Sequence, residues 1–293
     1  MAKLIDPDRA LGHRFLPVAV PYSERDVALY ALATGAAEDP SEEGALRRVY
    51  EAHEHGQEVL PGFVAVHALN ALLDRLVREG SAPGLDYPLA RVLHAEQRTE
   101  HLAPVAPRGV LSHGGSVSAI FDKGRHAIVV MTVESRDERG VLVARHEIAS
   151  LVRGGGGFGG PRGDELLDPF PEDREPEVIV EQATHKNQAA LFRLLGDANP
   201  IHIDRAAVRA FGLPRPILHG MCTLGFALRH VADAVSAGAR LASAAVRFAD
   251  VVFPGETLVT QIARIEDRRV AFRVRAKERN RVVLSHGDVR FEE

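Results

Sequence analysis

Two long segments that are apolar around almost their whole helical circumference constrain this chain most. Residues 60–77 carry Leu60, Phe63, Val64, Val66, Leu69, Leu72, Leu73, Leu76 and Val77, and residues 220–235 carry Met221, Cys222, Leu224, Phe226, Leu228, Val231 and Val235. Helices with so little polar face must be wrapped by something. Strand patterns follow each of them: 127–133 and 141–144 before 147–152 in the first half, and 259–265 and 270–277 before 281–291 in the second. Val270, Phe272, Val274 and Ala276 alternate with Ala271, Arg273 and Arg275, the period of a sheet with one buried face. Pro107-Arg108-Gly109 and Pro254-Gly255-Glu256 supply matching turns. The halves therefore read as diverged copies of one α+β unit, a long helix inside a curled antiparallel sheet.

At 293 residues with 45% hydrophobic content, the chain exceeds one typical domain and can bury real cores. Residues 153–176 are rich in Gly, Pro, Asp and Glu with little periodicity, so they are expected to link a unit at 1–152 to one at 177–293. A net charge of -4 argues against nucleic acid as partner. Cys222 is the only cysteine, which rules out an intramolecular disulfide; inside an apolar helix it reads as a small core residue. The N-terminal residues lack an apolar signal run, no stretch approaches a membrane span, and Arg290-Phe291-Glu292-Glu293 is not a peroxisomal address, so a cytoplasmic location is expected.

Chemistry concentrates in Phe192 to His202, read as FRLLGDANPIH. Thr184 can cap a helix over 185–195, and Gly196 followed by Pro200 stops it, leaving Asp197, Asn199 and His202 on irregular backbone. Such a segment is also an ordinary Asx turn beside a structural histidine. A carboxylate beside an imidazole, however, moves protons near neutral pH. Downstream, Pro216-Ile217-Leu218-His219-Gly220-Met221 opens an apolar helix, so the N–H groups near Gly220 form an acceptor site for developing negative charge. An acid/base pair with an oxyanion site implies carbonyl-linked chemistry.

On these residues the chain resembles the (R)-specific enoyl-CoA hydratases, the hydratase 2 or MaoC-like family. The family motif Tyr-Arg-Leu-small-Gly-Asp-X-Asn-Pro-Leu-His-X-Asp is similar to Phe192 through Asp204, and Lys-Pro-Ile-Leu-His-Gly to Arg215 through Gly220. Tyr30 to Gly35 with Glu38-Asp39-Pro40, Val49-Tyr50-Glu51, Leu60-Pro61, His94-Ala95-Glu96-Gln97, Asp122-Lys123-Gly124 and Gly156 to Gly160 resemble two-domain members. The resemblance implies a double hot-dog fold, with Asp197 and His202 as catalytic pair, Asn199 orienting water or substrate, and the Gly220 N–H as oxyanion donor. The implied reaction is reversible hydration of a trans-2-enoyl-CoA to a (3R)-3-hydroxyacyl-CoA. Phe192 replaces tyrosine, Leu195 a small residue, Ala95 glycine and Arg205 proline; none removes an implied catalytic group, and Phe192 and Leu195 bear on substrate range more than on activity.

The first half has no Gly-Asp-X-Asn-Pro-X-His segment before its helix, so one site per chain is expected and the first half becomes the acyl-chain receptor. Glu51 is a weaker substrate-binding candidate, with an exposed helix-end role as its alternative. Residues 154–160 lack the ending of a phosphate loop. His94, Glu96, His101 and His113 match no metal spacing, so no metal is expected. Arg153, Arg162 and Arg193 are candidates for CoA phosphates, among arginines that mostly serve as surface. The expected partner is an acyl-CoA thioester, whose coenzyme A is part of the substrate rather than a cofactor; neither nucleic acid nor membrane is expected, and a homodimer is the candidate assembly. A hot-dog thioesterase and a non-catalytic acyl-CoA binding protein are the competing functions.

Overall fold

The computed structural model describes residues 4–39, 41, 43–164, 167–235 and 238–292. A short α1 (Pro7–Ala10) precedes β1 (Arg14–Tyr22), α2 (Glu24–Ala33), α3 (Glu43–Leu46) and α4 (Phe63–Glu79), then β2 (Val92–His101), β3 (Gly109–Asp122), β4 (Ala127–Arg136) and β5 (Leu142–Val152). The plan then recurs: β6 (Val178–Ala183), α5 (Gln188–Phe192), α6 (Arg205–Ala210), α7 (Gly220–Val235), and β7 (Leu241–Phe248), β8 (Thr257–Glu266), β9 (Arg269–Ala276) and β10 (Arg281–Phe291). All ten strands form one antiparallel sheet ordered β1-β3-β4-β5-β2-β7-β10-β9-β8-β6. Each half thus carries its first strand at an outer edge and its second at the seam, the topology of a double hot-dog.

Several expectations shift. The segments 141–144 and 147–152 are one continuous strand, β5. The counterpart of 259–265, within β8, is β3 rather than β4, since both follow the matched Pro-Gly turns and hold the same place in the sheet. Strands β1, β2, β3, β6 and β7 were not legible, and β2 shows why. Its buried positions Gln97, Thr99 and His101 are polar, so the alternation exists in burial but not in hydropathy. Their polarity is absorbed in part by a buried chain: Gln97 Nε2 donates to Thr99 Oγ1 (3.2 Å), which meets His146 Nδ1 (3.1 Å). His146 Nε2 meets Ser135 Oγ (3.0 Å), and Ser135 meets His113 (2.8 Å), which contacts His67 (2.7 Å).

The two central helices are wrapped unequally. In α7 every residue from Met221 to Leu228 is buried. In α4 the enclosure covers the N-terminal part, while Val77 is 71% exposed beside the i,i+4 pairs Arg75–Glu79 and Arg78–Asp74. One core runs through both halves, joining Tyr30 and Phe63 of the first to Phe226 and Phe272 of the second. Each large apolar side chain so buried contributes about 1.5–3 kcal/mol. The helix α2 ends against the second half, and its terminal carbonyls are satisfied from there. Cys222 Sγ (3.2 Å) and Gln188 Nε2 (2.8 Å) donate to Ala33 O, Arg229 Nε (3.4 Å) to Thr34 O, and Gln182 Nε2 (2.8 Å) to Gly35 O. Cys222 is fully buried, and burial pushes its thiol pKa up, as befits a core residue.

The described residues between β5 and β6 form no helix or strand. Within this connection the glycine run encloses a carboxylate of the protein itself: Asp122 accepts N–H bonds from Gly124 (2.8 Å), Gly157 (3.0 Å) and Gly159 (2.7 Å). These backbone donors hold its pKa down at about 2. No helix among the described residues is long and apolar enough to cross a membrane.

Candidate active site

The site is built where the chain leaves α5. The helix is shorter than 185–195: it spans Gln188–Phe192 and tightens into a 3-10 turn, Arg193–Leu195. Thr184 does not cap it. Its hydroxyl donates to Glu256 O (2.9 Å) and accepts from Gly255 N–H (2.9 Å), tying β6 to the turn before β8, and Asn187 takes the N-cap position. Gly196 then turns at φ +130°, a conformation that favours glycine.

The polar residues that follow order one another. Asp197 Oδ1 accepts from Asn199 N–H (3.0 Å), and Asn199 Oδ1 accepts from Ile201 N–H (3.2 Å), capping the 3-10 turn Pro200–His202 with proline at its first position. His202 Nδ1 lies 2.9 Å from Ile217 O. A carbonyl only accepts, so Nδ1 carries the proton and Nε2 is left bare. That Nε2 stands 3.8 Å from Asp197 Oδ2, with the His202 side chain 8% exposed and that of Asp197 20% exposed. The gap is too long for a direct hydrogen bond and suits a small molecule bonded to both.

The segment 215–220 closes the other side. Ile217 N–H donates to Ile201 O (3.2 Å) and Leu218 N–H to Val252 O (2.7 Å), which sets His219 directly against the pair. Its ring stacks on His202 at 3.5 Å and 24° and leans on Phe192 at 4.8 Å, while Nε2 reaches Asp197 O at 3.4 Å. The His219 carbonyl caps α7, accepting from Cys222 N–H (3.1 Å) and Thr223 N–H (3.2 Å). Gly220 opens that helix, and its N–H has no protein acceptor among the described residues. A side chain there would collide with Phe248, whose ring lies 2.9 Å from where a Cβ would stand.

Burial favours the neutral form of both imidazoles. Burial lowers the His202 pKa, opposed by the Asp197 carboxylate and the Ile217 carbonyl. Burial, then the neighbouring His202, brings His219 down to about 2. Asp197, His202 and His219 hold ligand-type atoms within 4.8 Å of one another. The two imidazoles are nevertheless stacked on one another rather than spread around one point, and His202 Nδ1 is already committed to Ile217 O. The trio suits proton movement better than metal chelation.

Sequence reasoning brought Asp197, Asn199, His202 and Gly220 to one place. It named the His219-Gly220 segment for its backbone and missed the His219 ring, although an imidazole beside a helix start was visible. Phe248 had no such signal. Glu51 is exposed on a turn and makes no hydrogen bond or ion pair among the described residues. Arg193 lies close enough to depress His219, with a buried Nε that has no partner among the described residues. Arg153 instead sits over the Phe211 ring (5.3 Å) and donates to Ala90 O (3.1 Å), and Arg162 is exposed. Among the departures, Phe192 is a buried wall for His219, and Arg205 is the first residue of α6, where proline is equally tolerated. The four residues weighed as metal ligands are dispersed: Glu96 pairs with Arg247 (2.7 Å), His94 packs on Phe248 (4.6 Å), and His113 bonds Ser135 and His67.

The chain is similar to known proteins along nearly its whole length. Residues 170–286 match the MaoC like domain and residues 21–154 the MFE-2 hydratase 2 N-terminal domain. "Enoyl-CoA hydratase 2, peroxisomal" of Arabidopsis thaliana is 36% identical, covering 95% of this chain and 93% of the relative. "Enoyl-CoA hydratase ChsH3" of Mycobacterium tuberculosis is 38% identical, covering 96% and 97%. The crystal structure of a MaoC-like dehydratase from Phytophthora capsici superposes with a TM-score of 0.87 at 28% identity, covering 99% of this chain and 98% of that one. With such identity along nearly its whole length, the chain belongs to the MaoC-like hydratase 2 family of hydro-lyases.

Proposed function

We propose that this chain hydrates trans-2-enoyl-CoA reversibly to (3R)-3-hydroxyacyl-CoA at the site around Asp197 and His202. The carrying observation is the 3.8 Å approach of Asp197 Oδ2 to the unprotonated Nε2 of His202, one stacked ring away from the N-terminus of α7. A water between them loses a proton to one member of the pair as its oxygen bonds to C3. The C2–C3 π electrons move toward the thioester, whose oxygen takes enolate character, and the pair then delivers a proton to C2, which returns it to its starting state. The Gly220 N–H, with the α7 dipole behind it, stabilises that oxygen. Asn199 orients the water or the substrate with the amide NH2 that its capping bond leaves over. The unit at 1–152 receives the acyl chain, 153–176 links it to the catalytic unit at 177–293, and Arg193 is the best placed of the three arginines for a CoA phosphate. Glu51 keeps at most a peripheral role in substrate binding.

The test follows two signals in one cuvette. Hydration removes the absorbance of the conjugated enoyl thioester without releasing thiol, whereas thioester cleavage releases thiol. Asp197→Asn and His202→Ala are expected to lower kcat by roughly a hundred- to ten-thousand-fold with the fold intact. Near-normal kcat in either variant, or a product of S configuration, overturns the reading. A fluorescent tag tests the cytoplasmic expectation against the peroxisomal setting named for the Arabidopsis relative.

A further inference from the structure

Asp197 is held from two directions. Downstream, its loop is secured within the second half by the Asn199 and His202 bonds described above. Upstream, the two residues before it rest on the first half. Asn70, on α4 and partly buried, donates from Nδ2 to Leu195 O at 2.8 Å across 125 residues of sequence. Leu195 ends the 3-10 turn, and no backbone N–H donates to its carbonyl among the described residues. The next residue, Gly196, has φ +130°, and Asn70 Cβ, Nδ2 and Cγ lie 3.1–3.2 Å from where its Cβ would stand, a tight contact. Asn70 therefore grips the carbonyl of one residue and packs against the side-chain position of the next. Both contacts bear on the peptide between Leu195 and Gly196, which leads directly into Asp197.

We propose that Asn70, from the half without the catalytic motif, is a positioning residue for Asp197 and acts through the Leu195–Gly196 peptide. The proposal rests on the reading of Asp197 as a reacting group. It gives the first half a part in the chemistry separate from receiving an acyl chain. Asn70 is the polar residue that an otherwise apolar stretch of α4 presents to the loop, and its amide supplies the donor that a helix-end carbonyl requires. Removing the donor frees the peptide to turn, and a displacement of about 1 Å at a reacting group costs up to about a hundredfold in rate.

The experiment measures kcat and KM of Asn70→Ala and the near-isosteric Asn70→Asp, each alone and combined with Asp197→Asn, in the full chain with thermal melts alongside. Asn70→Asp keeps the packing against Gly196 while replacing the donor, so it serves where the alanine variant does not fold. If Asn70 acts through Asp197, kcat falls by roughly ten- to a hundredfold, KM moves by less than about threefold, and the loss largely disappears in the Asp197→Asn background. A near-normal kcat in a folded Asn70 variant overturns the proposal. So does a loss that persists in full on top of Asp197→Asn, or one that falls on KM alone. Failure of the underlying reading is seen separately, as near-normal kcat in Asp197→Asn itself.

Discussion

Histidine is the residue type that this fold handles most consistently. Burial brings His67 and His101 down to about 4 and His113 and His146 to about 3, so the native protein holds them neutral where the unfolded chain would bind protons below pH 6.5. A depressed folded pKa stabilises above the unfolded value, and that stability is lost as pH falls toward the folded one. Each such imidazole steepens the fall by up to about 1.4 kcal/mol per pH unit in that window. We expect Tm to drop between pH 7 and pH 5, and His146→Gln, which removes the titrating ring, to flatten the slope; melts across that range check it. His202, also lowered by burial, keeps Nε2 free below its ordinary pKa, so the acidic limb of activity should lie below pH 6.5 while the protein stays folded. The proposed site residues Asp197, Asn199 and His202 were readable because they lie within six positions of chain. The stacked His219 was not, because stacking depends on how segment 215–220 is pinned to Ile201 and Val252.

Among elements, the contact between the central helices and α2 shows how closely side chains are fitted. Tyr30 of α2 points its hydroxyl at Gly62, where a Cβ would lie 2.0 Å from it, and at Gly225 of α7, where a Cβ would lie 2.8 Å away. Gly62→Ala is expected to cost about 1–3 kcal/mol by overpacking. Tyr30→Phe in the same chain should restore part of this, because the nearest remaining ring atom, Cζ, is 3.1 Å from the added carbon. Denaturant titration of the single and double variants measures the coupling, and additive costs would show that the hydroxyl is not what Gly62 accommodates. Both long helices were legible from apolar content summed over four turns or more. The five-residue α5 was overextended, because the 3-10 turn after it has the same composition and differs only in which carbonyl each N–H finds.

For the molecule as a whole, the seam between β2 and β7 decides whether the halves are independent. Five register pairs, from Glu96↔Arg247 to Glu100↔Ser243, join them, and the end of α2 has its carbonyls satisfied from the second half. Residues 177–293 produced alone expose the β7 edge and one side of the shared core, so no stable monomer is expected; co-production with residues 1–176 should restore a soluble complex. Size exclusion with far-UV circular dichroism reads the outcome, and a folded monomer of the isolated half would contradict it. The amino-acid sequence by itself determined the duplicated plan of helix and strands and the short motif that holds Asp197, Asn199 and His202, because period and local spacing are properties of neighbouring residues. Only the tertiary structure decided that two sheets become one, that polar Gln97, Thr99 and His101 face inward, and that Asn70 meets Leu195. Such pairings join residues far apart in the chain, where packing and hydrogen-bond satisfaction select the partner and local pattern carries no trace of it.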